Sequence, residues 1–218
     1  MARPSLLSGR AAGTVHLVGG RLCLDFVNSV GARRVSPSGE MTIRDEKLRD
    51  YLDLLAWARN AGILAAGGAQ RLASKSARRE KEATTVFRRA AKLREALYCI
   101  FTAIVLGKKA ERLHLRVLNQ ELRRARVEER LVFQKAHFAW QWHAAGSSLD
   151  RVVWEIARSA AELLTQSDLS RLRQCGGDDC GWFFEDSSRN RSRRWCEMRD
   201  CGNVAKVRRF RQRQRRLV

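Results

Sequence analysis

The chain has 218 residues, 44% of them hydrophobic, and a formal net charge of +20. That length accommodates one medium domain and a small one, with enough apolar content for a core. No stretch approaches the ~20 consecutive apolar residues of a membrane-crossing helix, and residues 1–20 lack the continuous apolar segment of a secretory signal, so a cytoplasmic protein with no membrane partner is expected.

In chain order, residues 1–13 read as a flexible arm and residues 14–18 as a short strand ended by Gly19-Gly20. Arg21-Leu-Cys-Leu-Asp25-Phe-Val-Asn28-Ser-Val30 is apolar on too many sides for its period to separate strand from helix. Asp25 and Asn28 are the strongly polar side chains in its middle. Such residues more often satisfy backbone groups or cap a helix, and the other reading is that they line a ligand pocket. Residues 31–39 read as a loop containing Pro37. A helix is predicted from about residue 43 to 60, with Leu48, Leu52 and Leu55 on its apolar face. Gly67-Gly68 marks a break, and from about Ser76 to Leu106 apolar residues recur at helical spacing (Phe87, Leu93, Leu97, Ile100, Ile104). Another helix follows from about Leu113 to Ala125.

The period then changes. Residues 130–134 and 137–142 read as two strands of a β-hairpin, with Phe138, Trp140 and Trp142 in alternation. Ser147-Ser148-Leu-Asp150 fits a helix N-terminus, and a helix runs on to Thr165. Ser167 is placed to cap a last short helix through Leu172 that delivers Cys175. No histidine pair stands at metal spacing, and no Gly-rich phosphate loop or nucleophile pattern is readable. The chain is therefore not expected to be an enzyme.

The densest chemistry lies in residues 175–201. Cys175 and Cys180 form one pair and Cys196 and Cys201 another, with four residues inside each pair and fifteen between them. Two such clips allow one tetrahedral ion to be held by four thiolates. Structural Zn2+ is favoured, iron–sulfur is rarer, and two disulfides are disfavoured in a reducing compartment. Gly181 and Gly202, each following a cysteine, suit a backbone that must turn around a metal. A module of this size lacks a sizeable core, while structural zinc contributes an apparent ~10–16 kcal/mol, so the module is expected to unfold without metal.

Charge concentrates in the same region. From residue 187 to 218 there are twelve Lys or Arg against Glu197 and Asp200, so half of the chain's excess sits in its last segment. Arg189, Arg191, Arg193 and Arg194 precede the second clip. Lys206, Arg208, Arg209, Arg211 and Arg213, with Arg215 and Arg216, follow it on a C-terminal helix whose Val207, Phe210 and Leu217 are expected to face the module. A positive stripe of this density attracts polyanions; phosphate contacts should dominate, with two or three residues near bases. Trp182-Phe183-Phe184 and the run before Cys196 are expected to pair as a hairpin between the clips.

The stretch Cys-Gly-Trp-Phe-Phe-Glu-Asp-Ser-Ser-Arg-Asn-Arg-Ser-Arg-Arg-Trp-Cys-Glu-Met, followed by Cys201-Gly-Asn-Val-Ala-Lys-Val-Arg-Arg, resembles the CGNR zinc finger over about residues 171–215. That family is named for a Cys-Gly-Asn-Arg tetrapeptide, and this chain has Val204 at the arginine position. Residues 14–165 resemble, more loosely, the ABATE domain, through Gly20-Arg-Leu-Cys-Leu-Asp-Phe-Val-Asn28, Asp53-Leu-Leu-Ala-Trp-Ala58 and the run from Leu149 to Leu164. The resemblance implies an α+β protein regulating stress-induced transcription. The expected architecture is a flexible arm (1–13), a mostly helical ABATE-like domain with a β-hairpin that senses a signal or mediates assembly (14–168), and a small four-cysteine zinc finger of hairpin plus basic helix (169–218). The expected function is zinc-dependent DNA binding, with a small-molecule effector or a second copy as partner of the first domain. The alternatives are RNA binding by the same module, a zinc/thiol redox switch, or a protein-interaction module.

Overall fold

The computed structural model describes residues 6–35, 41–143, 148–178 and 180–215. The first five residues of the expected arm, Pro37, Ser147, Arg216 and Leu217 lie outside them. The fold is α+β and largely helical. In order it comprises α1 (Leu22–Val27), β1 (Val30–Val35), β2 (Met41–Glu46), α2 (Tyr51–Asn60), α3 (Ala66–Arg78), α4 (Glu80–Val105), α5 (Arg112–Glu128), β3 (Glu129–Gln134), β4 (His137–Trp142), α6 (Arg151–Gln166), β5 (Leu172–Gln174), β6 (Phe183–Glu185) and α7 (Asn203–Arg215). The strands form three separate antiparallel pairs, β1–β2, β3–β4 and β5–β6.

One apolar core runs through α1, α2, α4 and α6, with Phe26, Leu54, Leu55, Trp57, Leu93, Leu97, Phe101 and Ile156 almost wholly buried. α1 is short and sits inside the helix layer, which is why its sequence is apolar on every side: Cys23, Leu24, Asp25, Phe26 and Val27 are all buried. The described residues before it, from 6 on, are not a free arm. Leu7 and Ala12 are buried in the same core, and Ala11–Thr14 form a 3-10 turn against α2. Residues 15–18 are extended but unpaired, so the expected short strand is absent there.

Three expectations change. The 31–39 loop and the start of the following helix are instead the β1–β2 hairpin, in register Val30↔Glu46 to Val35↔Met41. α2 begins only after Asp50, whose carboxylate accepts the Asp53 N–H at 2.8 Å and caps the helix. The hairpin is seated on α4 by ions: the buried Arg94 donates to Glu46, Glu95 and Ser29, and the equally buried Arg33 pairs with Glu95 and stacks 4.3 Å over Tyr98. The single helix expected from about Ser76 is two helices. Arg79 leaves helical geometry (φ −129°, ψ 50°), and Glu80 and Glu82 open α4, where negative charge suits the helix dipole. Gly67 and Gly68 lie inside the first turn of α3 and break nothing.

The β3–β4 hairpin and α5 and α6 occur as expected. Trp142 packs at the hairpin's base on Trp154, with ring centroids 5.5 Å apart. The short helix before Cys175 is a 3-10 turn, Leu169–Arg171, capped by Asp168 instead of Ser167.

Candidate metal centre and nucleic-acid interface

The finger begins where β5 and β6 pair, Leu172↔Glu185 to Gln174↔Phe183. This hairpin lies around the first clip, so Cys175 and Cys180 sit in its loop. The expected pairing of residues 182–184 with the run before Cys196 does not occur. The second clip arrives on an irregular segment, and Cys201 lies in a π-helical turn, Met198–Gly202, that runs directly into α7.

The four sulfurs lie within 4.8 Å of one another. Cys180 Sγ and Cys201 Sγ are each 3.6 Å from Cys196 Sγ. Four sulfurs 2.3 Å from a central ion would stand about 3.8 Å apart, so the cluster has the dimensions of a tetrahedral metal site. All four cysteines are free thiols. The Cys196 N–H donates to Cys175 Sγ at 3.3 Å, as expected of backbone turned toward a thiolate. Hydrogen bonds from Cys180 and Cys196 hold Cys175 far below the ordinary thiol range, and the same contacts with Cys175 push Cys180 and Cys196 up. Burial and the charge of Cys175 raise Cys201 as well. One thiolate is thus easily accommodated and four are not, unless a cation compensates them. The donor set therefore fits a divalent, thiophilic metal ion.

Glycine serves the site in two ways. Gly181 has φ +73°, and a Cβ there would lie 3.3 Å from Arg33 Cβ, so it permits both the turn and the close approach of the finger to β1. Gly202 lies in the helical turn, where a Cβ would collide first with the Met198 sulfur and then meet Trp195 at 3.2 Å; it gives room to both side chains and needs no positive φ.

The finger is bound to the rest of the chain by its inner hairpin. Phe183 is fully buried in the main core, with ring contacts to Tyr98 and Phe101 at 5.4 and 5.8 Å. Asn28 closes a two-bond clamp: its Nδ2 donates to Phe183 O, and Phe183 N–H donates to its Oδ1, both at 2.8 Å. Trp182 Nε1 donates to Val30 O at 2.6 Å, Glu185 N–H donates to Gly19 O at 2.8 Å, and Arg21 pairs with Glu185 at 2.7 Å. Asp25 accepts the Gly19 N–H at 2.8 Å; burial pushes its carboxyl up to about 6, although backbone N–H groups oppose the rise. Asn28 thus fastens the N-terminal segment directly to the finger, and Asp25 holds Gly19, whose carbonyl accepts the Glu185 N–H. Neither lines the cleft described below.

The arginines before the second clip divide by role. Arg193 is part of the architecture: it lies 4.2 Å over the Phe184 ring and donates to the carbonyls of Trp195, Cys196 and Val18. Its backbone N–H, with the Ser188 N–H and hydroxyl, satisfies the buried Asp186. Arg191 pairs with Asp168 at 3.0 Å. Arg189 and Arg194 are exposed, and Arg194 stands 5.6 Å from the Trp195 ring. Beyond the clip, Lys206, Arg208, Arg209, Arg211 and Arg213 are all exposed, and Arg208 pairs with Asp178. Between α7 and the clips lies a cleft of about 460 Å³, lined by Trp182, Trp195, Arg194, Val204, Arg208 and Arg209 among others.

The apolar side of α7 does not face the module. Val204, Val207 and Phe210 are 50%, 48% and 63% exposed. Val207 and Phe210 are the two of these expected to face it, because an apolar residue on a short helix ordinarily packs. The helix instead leaves the module at its first turn, and only its cleft-facing side looks back at the finger. Phe183, fully buried, offers no ring face for the base stacking that single-stranded RNA recognition uses.

No described helix is long and apolar enough to cross a membrane. A family model for the ABATE domain, described as "Putative stress-induced transcription regulator", matches residues 20–167, and a model for the CGNR zinc finger matches residues 171–214. Neither is an enzyme family. A comparison with curated proteins found no match. With its ABATE match spanning more than half of the sequence and the four-cysteine cluster in place behind it, the chain belongs to the ABATE family and carries a CGNR zinc finger.

Proposed function

We propose that the protein is a zinc-dependent DNA-binding transcription regulator. Cys175, Cys180, Cys196 and Cys201 hold Zn2+, and α7 with its flanking arginines docks on duplex DNA. Residues 14–168 act as the sensing or assembly domain and residues 169–218 as the DNA-binding module.

One observation carries this reading. The last cysteine of the cluster lies in the turn that opens an exposed, strongly cationic helix. A bound ion fixes where that helix starts and which way it points. A helix of 13 residues is about 20 Å long, and its diameter of about 10–12 Å with side chains matches a major groove about 12 Å wide. Arg189, Arg194, Lys206, Arg209, Arg211 and Arg213 are exposed and form the positive surface. Zinc here is structural: it supplies charge compensation and geometry, and four thiolates leave no open position for a substrate.

The test is binding of the zinc-loaded protein to duplex DNA and to RNA across a salt series, with Cys196→Ser alongside. The expected result is duplex binding that falls with salt, with a logarithmic slope of about −0.9 per phosphate neutralised, and that is lost in the variant. Equal affinity for every polyanion, unchanged in the variant, would contradict the proposal.

A further inference from the structure

The exposed face of α7 has a pattern that phosphate binding does not explain. At about 100° per residue, Phe210, Asn203, Gln214, Arg211 and Val204 all fall within roughly 60° of Val207 around the helix. All are exposed. The next positions outward are Lys206 and Arg213 along one edge; along the other, Arg208 turns to the cleft and pairs with Asp178, so Arg211, inside the arc, is the cation that faces outward on that side. The opposite side, with Ala205, Arg209 and Gln212, lines the cleft. The helix therefore shows solvent a narrow strip of Val207, Phe210, Asn203 and Gln214 between two cationic rails, Lys206 and Arg213 on one side and Arg211 on the other.

From this we infer that the strip is a base-reading face, in which Val207 and Phe210 contact thymine 5-methyl groups in the major groove while the rails engage the flanking phosphates. The inference rests on the DNA-binding reading above. Charge complementarity selects the occupant. A second copy would bring its own cations against these rails, and the chain carries +20. A duplex brings two phosphate strands, spaced on either side of a groove whose floor carries methyl groups wherever thymine occurs. Apolar side chains there reward thymine; arginines alone would favour guanine.

The test separates methyl contact from charge. The zinc-loaded full chain is titrated with a 20-base-pair alternating A·T duplex, the same duplex with deoxyuridine for every thymine, and a G·C duplex, all at one salt concentration. Removing the methyl alters neither phosphate nor hydrogen-bonding groups. One buried methyl corresponds to roughly a fourfold change in affinity, so deoxyuridine should weaken binding by roughly fifteenfold if two are contacted. Val207→Ala with Phe210→Ala should erase the difference and leave binding to the deoxyuridine duplex unchanged, whereas Arg213→Ala should weaken all three duplexes alike. Circular dichroism checks that α7 persists in each variant. Equal binding of the thymine and deoxyuridine duplexes would overturn this inference and leave the DNA-binding reading standing. Absence of binding to any duplex would overturn both. Phe210-dependent binding to phosphatidylserine vesicles without a thymine effect would assign the strip to a membrane surface and also overturn it.

Discussion

The two halves of the finger are built on different principles. Its inner half, β5, the first clip and β6, is an extension of the ABATE core: Leu172 and Phe183 belong to the main apolar cluster, and Asn28, Val30 and Gly19 supply backbone-like partners. Its outer half, from residue 187 to the end of α7, has almost no core of its own. It is held by the buried Asp186, by Arg193 on Phe184, and by the second cysteine pair. Burial secures one half and coordination the other. The expectation that the whole module unfolds without metal therefore applies to the outer half alone.

Metal removal should break the comparison most strongly. Structural zinc is worth about 10–16 kcal/mol in isolated finger peptides. Chelation or Cys196→Ser should cost the outer half its order, seen as loss of α7 ellipticity, while the thermal transition of the helical core survives. The second largest effect should come from the inner half. Phe183→Ala removes a fully buried ring between Tyr98 and Phe101 and should cost about 3–5 kcal/mol in chemical denaturation of the whole chain, with or without zinc.

Asp25 gives a pH-dependent version of the same test. Its folded pKa of about 6 lies above the ordinary 3.8, so its contribution is fully present below pH 3.8 and is lost as pH rises through 6. Asp25→Asn keeps an oxygen for the Gly19 N–H and removes the titration. Relative to that variant, the native protein should lose about 3 kcal/mol of stability between pH 3.5 and 7.5. The smallest effect is expected at the rim. Arg21→Ala deletes a half-exposed ion pair with Glu185 and should cost under about 1 kcal/mol, diminishing further in high salt.

What could be read from sequence follows the same division. The cysteine clips were legible because coordination imposes short, regular spacing. The β3–β4 hairpin was legible because Phe138, Trp140 and Trp142 alternate, and α5 and α6 because their apolar residues keep a helical period. The β1–β2 hairpin was hidden: its seating depends on Arg33 and Arg94 meeting Glu46 and Glu95 from a distant helix. Asp50 followed by Asp53 was a capping signal that could have placed the start of α2 correctly. The α3–α4 break had a local mark in the acidic pair Glu80 and Glu82, set against a period that continues across it. Asn28 was legible as a residue that satisfies backbone groups, but not that those groups belong to Phe183, and the role of Arg193 was not legible, since each partner is a carbonyl, amide or ring that only folding brings near.

The most direct measurement is residue-resolved amide hydrogen exchange on the zinc-loaded and metal-free protein. The account predicts that amides of Leu172–Gln174 and Phe183–Glu185 keep their protection without metal, while those of Asn203–Arg215 lose theirs. If the inner hairpin exchanges along with α7, the finger is a single metal-held unit and the division fails. If α7 stays protected without metal, coordination does not organise the helix, and the link between zinc and DNA binding is contradicted.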